Sequence, residues 1–193
     1  MTKAQLIVGA VVLVAILFLI ARIRSRPLVH TSVKARQTYA GLRDMILQGS
    51  RTKFSLPEPS RPTEPWGVVM DWGVQNGTAT VVALSDGTAS VYLSGGGGFI
   101  GGVGQAPIRS AALEAVRLAA GVQPQAKETK SFPLPETGQV HFYFLTDAGV
   151  FAAIASEDSL RTEQSPFSKL GNAMQGIITQ YRILEQKRQG QSS

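Results

Sequence analysis

The spacing of apolar residues changes repeatedly along this chain, and each change marks a different element. Residues 4–21 read AQLIVGAVVLVAILFLIA, with no charge and Gln5 as the only strongly polar side chain. As a helix rising about 1.5 Å per residue they would reach about 27 Å, close to the hydrocarbon thickness of about 30 Å. A soluble core helix keeps a polar stripe, whereas this run is apolar all round. A cleavable leader would need small residues at −3 and −1 after the run, and Phe18-Leu19-Ile20-Ala21-Arg22-Ile23-Arg24 offers none. Residues 1–22 are therefore expected to be a transmembrane anchor.

Over 32–48 the spacing becomes helical, with Tyr39, Leu42, Met45 and Ile46 on one stripe and Arg36, Arg43 and Asp44 assigned to the rest of the surface. Ser32 would cap this helix and Gly49 stop it. Such a basic juxtamembrane helix, within 23–50, could pack on a following domain, lie on the inner leaflet or dimerise. Pro57, Pro59, Pro62 and Pro65 then interrupt regular hydrogen bonding, which predicts a semi-extended linker over 51–65.

Short apolar runs follow at 67–74, 78–84 and 88–93, joined by Gln75-Asn76-Gly77 and Ser85-Asp86-Gly87. Asn-Gly and Asp-Gly accept the positive φ of tight hairpin turns, so the three runs read as an antiparallel meander. A glycine-rich loop spans Gly95 to Gly104. Pro107 opens a helix whose Ile108, Ala112, Ala115, Val116 and Ala119 form one stripe, with Gly121 as its stop. After a polar loop, 139–146 and 150–156 form a second hairpin around Asp147-Ala148-Gly149. A closing helix over 166–186 presents Phe167, Leu170, Met174, Ile177, Ile178 and Tyr181. Residues 188–193 are expected to be disordered.

These elements predict an α+β domain over 66–187: a five-stranded antiparallel sheet with packed helices. Both faces of the run Val140 to Leu145 are largely apolar, so helices are expected on both sides of the sheet. The order of hairpin block, helix, hairpin and closing helix resembles that of roadblock, longin and profilin-like sensory or scaffold domains. That resemblance spans 66–187 and lies in element order; a fold of this kind does not by itself carry a function.

Charge changes the picture of what the domain can bind. The chain is formally +6, but residues 1–53 hold nine basic side chains and one acidic, while 54–193 hold ten basic and twelve acidic. The positive excess sits beside the apolar span, where it suits anionic lipid head groups at about 1 kcal/mol per well-placed Lys or Arg. A nucleic-acid domain would carry its own basic face. Arg22, Arg24 and Arg26 directly follow the span, and basic residues so placed are retained in the cytoplasm. The C-terminal domain is thus expected on the cytoplasmic face of a bacterial inner membrane. There is no cysteine, hence no disulfide, thiolate nucleophile or cysteine metal site.

Several strings resemble chemistry without its context. Gly96, Gly98 and Gly101 satisfy G-x-G-x-x-G, but the strand before them belongs to a hairpin and the helix begins only near Pro107. Leu134-Pro135-Glu136-Thr137-Gly138 spells a sortase recognition pentapeptide, yet it precedes an ordinary strand rather than a C-terminal span. His30 stands beside the membrane, and His141 alternates with Tyr143 and Leu145 as a packed strand residue. Asp71 is a carboxylate inside the apolar run Val68-Val69-Met70-Asp71-Trp72, where burial would demand a partner such as Arg109 or Arg117, or an exposed edge. No paired carboxylates, metal-ligand spacing or nucleophile elbow appears.

No cofactor is implied. The reading is a membrane-anchored, non-catalytic interaction or scaffold module whose partners are lipid and protein, including a second copy of itself. Its candidate contact is the loop Gly95, Gly96, Gly97, Gly98, Phe99, Ile100, Gly101 and Gly102, mobile when free. The alternative is a small-ligand sensor that uses the same loop as a lid.

Overall fold

The computed structural model describes residues 33–190. The apolar run at 4–21, Arg22, Arg24, Arg26 and His30 lie outside the described residues. No helix among the described residues is long and apolar enough to cross a membrane.

Helix α1 is Val33–Leu47. Strands β1 (Gly67–Val74), β2 (Gly77–Leu84) and β3 (Ala89–Leu93) form the expected meander. A two-residue strand β4, Gly98–Phe99, follows, then helix α2, Ala106–Val122. Strand β5 is Lys127–Thr129, and β6 (Gln139–Thr146) and β7 (Gly149–Ser156) make the second hairpin. Helices α3 (Glu157–Arg161) and α4 (Ser168–Gly190) close the chain. The α+β class with an antiparallel sheet is as the sequence indicates, but the sheet has seven strands, ordered β4-β3-β2-β1-β6-β7-β5. The five long strands are those expected. The two additional ones are short edge strands in segments without apolar alternation, where pairing of the backbone rather than side-chain pattern makes the strand.

Residues opposite one another in an antiparallel ladder share a face, so the register sorts the core into two layers. Asp71 stands opposite Thr80 on one side and His141 on the other, and Met70 opposite Val81 and Phe142. The Met70 face carries Val68, Trp72, Val140 and Phe144, all buried. It receives Ile108, Ala112, Ala115 and Ala119 of α2 and Leu170, Met174, Ile177 and Tyr181 of α4. Small alanines on α2 allow close approach to the sheet. Helix α2 runs through Gly121 to Val122, and α4 extends to Gly190, past the end expected at 186.

The Asp71 face is covered by α1. Tyr39, Ile46 and Leu47 pack with Leu56, Trp66, Val69, Val82, Leu84, Tyr92, Tyr143 and Leu145 in one apolar cluster. Full burial of each such aliphatic side chain contributes about 1.5–3 kcal/mol. Segment 51–65 belongs to this layer and is not a free linker. Its Ser50-capped turn Arg51–Phe54 places Arg51 on Asp147 at 2.9 Å, Leu56 enters the cluster, and the Pro62 carbonyl accepts from Ala148 N–H at 2.9 Å. The prolines remove donors without preventing packing. The compact unit accordingly begins at Val33, not near Trp66.

Candidate functional site

Two places on this scaffold concentrate unusual chemistry: a polar cluster between α1 and the sheet, and the edge formed by the glycine-rich loop. In the cluster, Asp71 is completely buried, and its partner is Arg43. Arg43 Nε and Nη2 donate to Asp71 Oδ2 at 2.8 and 2.6 Å. The expected partners Arg109 and Arg117 are not the ones used; Arg117 pairs with Glu114 on the exposed surface of α2. The other carboxylate oxygen, Oδ1, accepts the Thr80 hydroxyl. With its proton given to Asp71, Thr80 Oγ1 accepts from Tyr39 O–H at 2.9 Å. A continuous chain Tyr39–Thr80–Asp71–Arg43 therefore begins and ends on α1, one turn apart.

A backbone carbonyl joins the cluster from the crossing segment between β5 and β6. Pro133 O accepts from Tyr143 O–H at 2.9 Å and from Arg43 Nη2 at 3.4 Å. The Arg43 guanidinium lies 5.7 Å from the Tyr143 ring centroid, within cation–π range. Burial, reinforced by the Asp71 charge, pushes the Tyr143 hydroxyl up to about 12. Burial also raises Tyr39. Desolvation opposes the Arg43 charge, but the hydrogen bonds and charge of Asp71 outweigh it and hold Arg43 above its ordinary value. His141, opposite Asp71 in the ladder, is buried and makes long contacts, from Nδ1 3.3 Å to Pro133 O and 3.4 Å to Tyr143 Oη, and from Nε2 3.4 Å to Gln139 Oε1. Both Asp71 oxygens are thus engaged by protein groups, and the cluster works as a docking key that sets α1 in one register on the sheet.

Sequence reasoning singled out Asp71 and missed Arg43. The signal was present, since Tyr39, Arg43 and Ile46 recur at i, i+4, i+7 on the stripe that becomes buried. Met45, expected on that stripe, is 41 % exposed instead.

At the loop, the structure separates the two apolar residues of the tip. Phe99 is half-buried in β4 and stacks on Tyr181 with ring centroids 4.7 Å apart and planes inclined by 9°. Ile100 is 69 % exposed, and Val103 is 44 % exposed. The loop covers the edge of β3: Gly97 O accepts from Leu93 N–H at 3.1 Å, and Ala89 O accepts from Gly102 N–H at 3.2 Å and from Tyr181 O–H at 2.7 Å. Close approach explains two of the glycines. A Cβ on Gly98, where φ is +141°, would lie 2.0 Å from Val91 O, and one on Gly102 would lie 2.5 Å from Tyr181 Oη. At Gly95, Gly97 and Gly101 a Cβ would meet nothing within 4 Å, while at Gly96 it would touch Ala35 of α1 at 3.3 Å. Space alone does not require all these glycines, although Gly96, Gly97 and Gly101 have positive φ.

The string Leu134 to Gly138 is a turn entering β6. Gly138 N–H donates to Gly73 O at 2.9 Å, and a Cβ on Gly73 would collide with Glu136 O. Among the described residues no group of three or more His, Asp or Glu side chains could hold a metal ion. Compared with protein-family models, curated proteins and solved structures, the chain matches none.

Proposed function

We propose that this chain is a membrane-anchored, non-catalytic protein-interaction module on the cytoplasmic face of a bacterial membrane. Residues 4–21 anchor it, Arg22, Arg24 and Arg26 hold its orientation against anionic lipid, and the sheet domain engages protein through the loop Gly95 to Gly104. The observation that carries this reading is the uncharged edge itself. No charged residue occurs between Asp86 and Arg109, and this stretch presents Ile100 and Val103 to solvent. Exposed apolar groups on a sheet edge without charges beside them mark a surface meant to be covered.

The rival sensor reading needs an enclosed pocket under the loop. Two open hollows among the described residues, about 370 and 190 Å³, have none of residues 95–104 in their walls. The larger lies at Leu47, Arg51, Trp66 and Asp147, and the smaller at Pro133, His141, Tyr143 and Ile154. The test is site-specific photo-crosslinking of the full-length chain in its native membrane. A photoreactive residue at position 100 should give a discrete protein adduct, while one at Leu134, which is 51 % exposed but outside the loop, should not. Equal labelling from both positions, or none from 100, would remove the loop as the contact.

A further inference from the structure

The two ends of the sheet are built differently. At the β5 end, Lys127 and Glu128 are exposed, Lys130 follows, and Pro124 and Pro133 flank the strand. Charges and prolines on an edge strand are the usual protection against pairing with another chain. The β4 end has neither, and its exposed residues, Gly97, Gly98, Ile100 and Gly101, are uncharged. The ladder also fixes which backbone groups are free. The odd-numbered residues of β3 bond outward, Leu93 N–H to Gly97 O and Ala89 O from Gly102 N–H, with Val91 opposite Phe99. The N–H and C=O of Phe99 therefore turn toward β3, and those of Gly98 and Ile100 turn away from it. Among the described residues nothing takes them.

We infer that this edge pairs with the same edge of a second copy of the chain, β4 antiparallel to β4 about a two-fold axis at Phe99. The inference rests on the loop being the interaction surface. Such an axis sets Gly98 of one copy opposite Ile100 of the other, twice. Both residues carry the outward-facing groups, so each pair exchanges two backbone hydrogen bonds. Gly98 has no side chain, which leaves room for the partner's isoleucine on the same face. Neither copy brings a charge to the contact. A two-fold pairing is closed, so an edge that would otherwise recruit further strands is used up in a dimer. A helix offers no free backbone groups to this edge; only extended chain does. Three residues make a small contact, and the shared membrane raises the local concentration at which it forms.

The experiment is resonance energy transfer between labelled copies of the full-length chain reconstituted in lipid vesicles, compared with Ile100→Lys, Ile100→Pro and the control Ile154→Lys at the other end of the sheet. Ile100→Lys installs the missing charge, and Ile100→Pro removes one outward N–H without touching the Phe99–Val91 pair. The expected result is a dimer for the parent chain and for Ile154→Lys, and a monomer for both Ile100 variants, each of which still melts in one cooperative transition. A monomeric parent chain, or a dimer indifferent to both Ile100 substitutions, overturns the inference. If the parent is monomeric while position 100 still crosslinks to a different protein, the two-fold pairing is wrong and the interaction-module reading stands.

Discussion

A carboxylate at the centre of a sheet survives folding only if its lost hydration is replaced, and Asp71 recovers it from three donors: Nε and Nη2 of Arg43 and the Thr80 hydroxyl. Such a pair gives little net stability over an apolar pair of the same volume, but removing one member leaves a bare buried charge. Arg43→Met should therefore cost about 3–5 kcal/mol in denaturant unfolding, and adding Asp71→Leu should recover most of that loss. Thr80 would keep Tyr39 as a partner in the double variant. Equal destabilisation by the single and double variants would show that the pair does not act as a unit. The sequence exposes half of this arrangement. Asp71 stands out because its neighbours in the strand are apolar, but a helix stripe judged by residue type assigns an arginine to the surface. The i, i+4, i+7 spacing of Tyr39, Arg43 and Ile46 allows Arg43 on the buried stripe, and the three-dimensional register, with Asp71 facing the α1 side, places it there.

At the scale of elements, the strongly periodic segments are legible and the weakly periodic ones are not. Strands β1 and β6 have the expected bounds, because apolar runs flanked by turn residues leave few alternatives. Strands β4 and β5 are short and held chiefly by backbone pairing, with the Phe99–Tyr181 stack as a side-chain contact of β4, and no side-chain pattern announces them. Segment 51–65 misleads for a related reason: prolines forbid ladder bonds, yet Leu56 and Trp66 still anchor it by burial. The domain boundary follows from this. A fragment beginning at Pro62 would lack Tyr39, Ile46, Leu47 and Leu56 and would expose Asp71 without Arg43. It should aggregate or unfold without a cooperative transition, while a fragment beginning at residue 33 should melt cooperatively. A cooperative, soluble fragment from Pro62 would mean that α1 is an accessory to the fold and that the docking key serves another purpose.

For the whole molecule, what matters is how the domain is presented to its partners. Residues 54–193 are slightly acidic, and the positive excess lies in the first 53 residues, of which 33–53 belong to the folded unit. Only one basic side chain, Lys3, precedes the apolar run, whereas Arg22, Arg24 and Arg26 follow it immediately. Under the proposed anchoring, retention of arginines on the cytoplasmic side would set the direction of insertion. Both the shared-membrane concentration that favours β4 pairing and the choice of cytosolic partners depend on that direction. An alkaline phosphatase fused after Ser193, active only in the periplasm, should therefore be silent in a bacterial host, and a cytosolic reporter at the same position should be active. Replacing Arg22, Arg24 and Arg26 by glutamine, with basic residues added before Gln5, should raise phosphatase activity by inverting the chain. Strong phosphatase activity from the unaltered fusion would place the domain outside the cytoplasm, and the glycine-rich edge would then have to find its partners there.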